Sequence, residues 1–150
     1  MNAESDFGPL ERTVAREQIR DLVARYNANG DTGRFAQVRA LFADDAVMRI
    51  EPDQEFAGIE AIMTIFTGAT SDTASSNLTH VRHFTSTHQI DFDDASHATG
   101  RLYFAVLTDV GLDHWGRYVD RYVRSANGWL FAHRSVSVDG WAQNSLFPRL

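Results

Sequence analysis

Four stretches in the second half of the chain decide the fold: HVRHFTSTHQIDF (80–92), ATGRLYFAVLTDV (98–110), WGRYVDRYVR (115–124) and WLFAHRSVSVDGW (129–141). Each has the two-residue alternation of a strand and is rich in β-branched and aromatic residues. Turn residues separate them at Asp93-Asp94, Gly111-Leu112-Asp113 and Asn127-Gly128, and Asn-Gly between alternating runs is a strong hairpin cue. The first half has a different period. From Pro9 to Asn29, Ala15, Ile19, Leu22, Val23 and Tyr26 recur at helical spacing, with Asn29-Gly30 as the stop. Phe35, Val38, Leu41 and Phe42 mark a second helix ending before Asp44-Asp45, Ala46–Glu51 a short strand, and Gly58–Phe66 a third helix. Thr67 to Asn77, rich in Ser, Thr and Ala, reads as a loop. Helices followed by long antiparallel strands predict an α+β fold. Its expected form is a cone-shaped α+β barrel, three N-terminal helices packed on a strongly curved, mixed, mostly antiparallel sheet with a pocket on its concave side.

A length of 150 residues suits one domain, expected to span 1–150. No apolar run approaches the roughly 20 residues of a membrane span. MNAESDFGPLERT has neither a basic region nor an apolar stretch of a secretory signal, so the cytoplasm is the expected location. The absence of cysteine removes disulfides, thiolate nucleophiles and cysteine-held metals. All 14 basic residues are arginine, which removes Schiff-base and P-loop lysine chemistry. A net charge of -6 without a basic cluster argues against nucleic acid. There is no Gly-x-Ser-x-Gly elbow and no Gly-x-Gly-x-x-Gly loop.

Strict alternation divides the last run into Trp129, Phe131, His133, Ser135 and Ser137 on one face and Leu130, Ala132, Arg134, Val136 and Val138 on the other. Arg134 then stands in an apolar row, where a guanidinium needs a carboxylate, a carbonyl or an anionic ligand. A structural ion pair and a place in a pocket both remain open to it. Trp129 and Phe131 on the outward face predict a homo-oligomer, a dimer or trimer. His83 shares its row with Val81, Thr85 and Thr87, as a half-buried residue or a catalyst. Asp31 either caps the second helix or serves a site. The spacings from His80 to His83 and from His83 to His88 put the paired histidines on opposite faces of a strand, where they cannot converge on one ion without a bulge, and there is no His-Glu-x-x-His helix, so no metal is expected.

The order of several strings resembles the SnoaL-like branch of the nuclear-transport-factor-2-like superfamily, from about Arg16 to Trp141. They are Ile19-Arg20-Asp21-Leu22 through Tyr26 to Asp31, Leu41-Phe42-Ala43-Asp44-Asp45-Ala46, Gly58-Ile59-Glu60-Ala61-Ile62, Gly116-Arg117-Tyr118-Val119-Asp120-Arg121-Tyr122, and Gly128-Trp129 with His133-Arg134. The branch includes scytalone dehydratase, bile-acid dehydratase and hexachlorocyclohexane dehydrochlorinase, alongside ketosteroid isomerase and polyketide cyclases. The resemblance implies an Asp–His dyad of Asp31 and His83, and an arginine, Arg134, beside it. Tyr26 and Tyr118 are implied as hydrogen-bond donors, and Met48, Val81, Phe104 and Val106 as pocket lining. It thereby implies a lyase working without a cofactor, by dehydratase-type elimination on a small hydrophobic, cyclic substrate. The alternatives are an isomerase or cyclase, with Asp120 as the nearest candidate base on a strand, and a non-catalytic binding or assembly module of the same fold.

Overall fold

Pro9 opens the first helix, α1 (Pro9–Asp31), at a position where its missing N–H is no loss, and Ala15, Ile19, Leu22, Val23, Tyr26 and Asn27 form the buried stripe. The computed structural model describes residues 7–73 and 78–147. Helix α1 overruns the expected Asn29-Gly30 stop by two residues. The chain reverses at Gly33, whose φ of 72° favours a residue without Cβ, while Arg34 N–H bonds back to the Asn29 carbonyl. Asp31 thereby becomes the last helical residue.

Helix α2 is a single turn, Phe35–Arg39, and Phe42 belongs not to it but to strand β1 (Phe42–Ile50). A short edge strand, β2 (Gln54–Ala57), pairs back on β1 beyond a cis Glu51–Pro52 peptide and had no signature in the sequence. Helix α3 runs over Ile59–Thr73, so the loop expected from Thr67 is helical as far as Thr73; its remainder, 74–77, lies outside the described residues. Threonine hydroxyls bonding carbonyls of the preceding turn, as Thr67 does to Met63, let such a polar stretch stay helical. Strands β3 (Arg82–Phe92), β4 (His97–Thr108), β5 (Gly111–Ser125) and β6 (Gly128–Trp141) complete the chain. The Gly111-Leu112-Asp113 break expected between β4 and β5 falls instead at Asp109-Val110, and β5 begins four residues earlier than the sequence indicated.

Three helices thus pack against one six-stranded mixed sheet of order β2-β1-β6-β5-β4-β3. Only β1 and β6 run parallel; every other neighbouring pair is antiparallel. The order is open, with β2 and β3 at the edges, so the cone does not close into a barrel. Ile19, Val38, Met48, Ile62, Val106 and Phe131 are among the most deeply buried of the apolar side chains between the layers.

Two bulges overturn the strict alternation. In β6, Tyr122 pairs with Phe131 but Arg121 with His133, so Ala132 is the extra residue. Trp129 and Phe131 therefore share the inner face with Arg134 and are buried, not outward, which removes the ground on which the oligomer was expected. In β3, the register slips between Ser86 and Gln89 around Thr87, whose φ of 54° is a strained value for a β-branched residue. Past that point His88 turns inward onto Tyr122. Among the described residues no helix is long and apolar enough to cross a membrane.

Candidate active site

The end of α1 brings Asp31 against the second residue of β3, His83. Asp31 Oδ1 lies 2.5 Å from His83 Nδ1, and Oδ2 accepts the backbone N–H of His83 at 2.9 Å. Both carboxylate oxygens serve one residue, and the acid's side chain is only 7% exposed. Helix α2 has no side-chain cap, so the alternative of Asp31 as a capping residue is excluded. An ionised carboxylate only accepts, so Nδ1 is the donor in this bond and Nε2 is the ring nitrogen left to exchange a proton.

His83 and Asp31 lie on the wall of a cavity of about 510 Å³, within the range of small-molecule sites. Of the other candidate residues, Tyr26 and Val81 share that wall. Met48, Phe104, Val106 and Tyr118 do not; they are buried behind it, Phe104 stacked on Tyr118 at 4.6 Å and within 6.4 Å of the His83 ring. The wall is completed by residues the sequence reading did not assign to a site, among them Asn27, Phe35, Ile65, Phe66, His80 and Phe147. At its rim, Thr79 gives Asp109 both its hydroxyl and its N–H, which hold that carboxyl at about 2, and the Thr79 oxygen faces His80 Nδ1 at 3.2 Å.

Arg134 takes the structural alternative. It is fully buried, with Nε and Nη2 each 2.8 Å from Asp120, and it is absent from the cavity wall. Burial opposes its charge, but Asp120 outweighs that and raises its pKa. The guanidinium carbon sits 4.3 Å from the Tyr26 ring centre and 3.9 Å from that of Tyr118, and Nη1 has no partner among the described residues. Asp120 also accepts the Tyr122 hydroxyl at 2.8 Å, so the alternative strand base is fully occupied and 0% exposed. Burial raises the pKa of Tyr26, with Arg134 opposing it, and burial likewise raises those of Tyr118 and Tyr122.

The same network reaches the surface through His88, whose Nε2 is 3.0 Å from the Tyr122 oxygen. Tyr122 spends its hydrogen on Asp120, so His88 donates. Burial lowers the His88 pKa from 6.5 to about 4, with Asp120 opposing burial and Arg20 and Arg134 adding to it. The folded protein therefore binds this proton more weakly than the unfolded chain, and stability present above pH 6.5 is lost as pH falls towards 4. The loss is at most about 3 kcal/mol, and smaller for a half-exposed ring. Urea unfolding at pH 7 and pH 4.5 is expected to show a shallower acid loss in His88→Gln, which keeps a donor for Tyr122; an unchanged slope would rule out His88 as the source.

A second acid–histidine pair, missed because 111–113 read as a turn, stands on β5. Asp113, 0% exposed, is 2.8 Å from His114 Nδ1 and accepts from Thr108, Ser145 and the Leu146 N–H. Burial raises its carboxyl, but these bonds outweigh it and hold the pKa low, while burial lowers that of His114. Through Ser145 and Leu146 this carboxylate anchors the segment that lays Phe147 on the His114 ring, 4.8 Å away, and against the cavity. The adjacent Asp113-His114 was the available signal. Among the described residues no three His, Cys, Asp or Glu side chains gather as a metal site.

Three helices on an open, bent six-stranded sheet make this a cystatin-like α+β protein of the nuclear-transport-factor-2-like kind. Residues 11–135 match the SnoaL-like domain, and the chain belongs to that family. Among solved structures it is similar to a candidate scytalone dehydratase from Novosphingobium aromaticivorans (19% identity, 88% of this chain and 89% of that one, TM-score 0.76). It is likewise similar to the hexachlorocyclohexane dehydrochlorinase LinA-type3 from Novosphingobium barchaimii (17% identity, 95% and 100%, TM-score 0.76). A Catenulispora acidiphila protein in complex with S-DNPA shares 26% identity over 85% of this chain and 95% of its own, with a TM-score of 0.73. No curated protein matches the chain.

Proposed function

We propose that the protein is a cofactor-independent lyase performing dehydratase-type elimination on a small hydrophobic, cyclic substrate, with His83 as general base. The observation that carries this reading is a carboxylate spending both oxygens on one histidine at the wall of a largely apolar cavity. Asp31 fixes the tautomer and stabilises the imidazolium formed when Nε2 takes a proton from carbon. The C–H electron pair becomes the new C=C bond, and the leaving hydroxyl departs from the neighbouring carbon with its own bonding pair, taking the proton back from the His83 imidazolium to leave as water. Tyr26 is the phenol on the described wall and donates to the developing negative charge. Arg134 acts in this scheme through Tyr26, whose ring its charge underlies, and Tyr118, Met48, Phe104 and Val106 set the shape from behind while Val81 touches substrate. The dehydrochlorinase and the candidate scytalone dehydratase among the similar folds support the reaction class. An isomerase based on Asp120 is disfavoured by the bonds that already occupy that carboxylate.

The test uses β-hydroxycyclohexanone in deuterated water. Cyclohexenone and water are the expected products; α-deuteration without loss of the hydroxyl would mark an isomerase or cyclase, and neither would mark a binding module. The homo-oligomer, for which a dimer or trimer is proposed, rests now on Phe84, Tyr103, Leu112, Trp115 and Val119, which β3 to β5 leave exposed. Sedimentation giving only a 16.8 kDa species at micromolar concentration would remove it.

A further inference from the structure

Beyond β6 the chain runs from Ala142 to Phe147 in neither helix nor strand, and Gln143 and Asn144 stand exposed. Among the described residues, every hydrogen bond from this segment to the rest of the protein ends on one residue, Asp113. Ala142 N–H reaches the Asp113 carbonyl at 2.7 Å, the Ser145 hydroxyl reaches Oδ1 at 2.5 Å, and Leu146 N–H reaches Oδ2 at 2.8 Å. The other bonds are internal: Ser145 N–H to the Ala142 carbonyl, and Phe147 N–H to the Ser145 hydroxyl oxygen. The inner surface of the segment is Phe147, which lines the cavity and lies on the His114 ring. We infer that residues 142–147 form a hinged flap, with Asp113 as its latch and Phe147 as its leaf, through which ligands enter and leave the cavity.

Opening leaves the latch itself satisfied. Asp113 is 0% exposed, and a buried carboxylate stripped of all its partners would be strongly destabilising. The Thr108 hydroxyl and His114 Nδ1 belong to the sheet, however, and stay on Asp113 when the flap lifts. Two bonds to a charged group are exchanged for bonds to water, while Ala142, still tied to the Asp113 backbone, acts as the hinge. Beneath the leaf lies the buried His114 ring, 6.2 Å from that of Phe104, which is itself 6.4 Å from His83. Lifting Phe147 therefore opens the cavity beside an aromatic row that ends at the dyad. Segments held by few contacts open locally while the core stays folded, and in many enzymes such openings set the rate of product release. The inference takes the cavity as the ligand site from the proposed function, and is independent of the reaction performed there.

The test is stopped-flow binding of 2-naphthol, a fluorescent bicyclic probe, to the wild type, Ser145→Ala, Phe147→Ala and the double variant. Ser145→Ala lacks one bond to a charged group, and its flap is expected to stand open about tenfold more often. Association and dissociation rates then both rise about tenfold while Kd changes little, since a gate alters access in both directions. A side chain that only touches the ligand or supports the fold would raise the dissociation rate alone. In Phe147→Ala the leaf is gone, so both rates are expected to rise, and adding Ser145→Ala should change them no further. Without ligand, amide exchange followed by NMR is expected to show Leu146 N–H exchanging about tenfold faster in Ser145→Ala, with the amides of β5 unchanged. Unaltered Leu146 exchange, dissociation that rises without association, additive effects in the double variant, or a probe that binds none of the four proteins would overturn the inference. Gating in a protein that performs no elimination would leave the flap standing and defeat the reaction proposed above; elimination without gating would do the reverse.

Discussion

Replacing His83 by alanine is expected to lower kcat on β-hydroxycyclohexanone by at least about 100-fold, the low end of what a positioned general base contributes. KM changes little, because the proton transfer exists only in the transition state. The fold survives the change for a structural reason: Asp31 keeps the backbone N–H of residue 83 at Oδ2, so its carboxylate is not left without a partner. Asp31→Asn is the more discriminating variant. An amide whose NH₂ faces Nδ1 forces the hydrogen onto Nε2, the nitrogen that must be bare, and the expected loss is about 10²–10⁴-fold with the ring still in place. Near-wild-type turnover in folded His83→Ala protein would send the search for the base elsewhere.

The largest expected effect on stability is at Arg134. Arg134→Met leaves the Asp120 carboxylate fully buried with only the Tyr122 hydroxyl to offset its charge, a loss of about 3–5 kcal/mol. In a domain of this size that corresponds to a melting temperature lower by roughly 6–20 °C. Arg134→Lys is also expected to be harmful, since a single ammonium cannot replace two parallel N–H donors on one carboxylate. Combining Arg134→Met with Asp120→Leu should recover much of the loss, because an apolar pair of similar volume carries no uncompensated charge. Thermal unfolding of the single and double variants checks the coupling, and additive losses would show that the two groups do not act as a pair.

The periodicity of 115–124 and 129–141 was enough to identify two long strands, and the helical spacing from Ala15 to Tyr26 enough to identify α1, because burial on one face imposes a period that survives in the residues themselves. The bulges at Ala132 and Thr87 were not legible, since an extra residue in a ladder exists only relative to its partner strand. That is why Arg134 was assigned to the face opposite Phe131 when its guanidinium stacks on that ring. Asp31 and His83 were found through the resemblance, as 52 residues separate them and no local pattern joins them. Asn27 was invisible for another reason: within α1 an asparagine on the apolar stripe looks like a tolerated exception, and its place on the cavity wall is known only once the layers are packed. Strand β2, four residues long and mostly exposed, offers too little burial to impose any period.

The position of β6 has a consequence for how the chain becomes a protein. This last strand lies between β5 and β1, and β1 meets the rest of the sheet nowhere else. During vectorial synthesis the hairpin β1–β2 must therefore wait, apolar face unpaired, until more than 75 further residues have been added and β6 has formed. The contact that finally admits it joins residues 42–50 to residues 131–136, the sort of long-range closure that slows folding. An emerging chain thus passes through a stage in which β3, β4 and β5 can already pair among themselves while the N-terminal part still needs shelter from self-association.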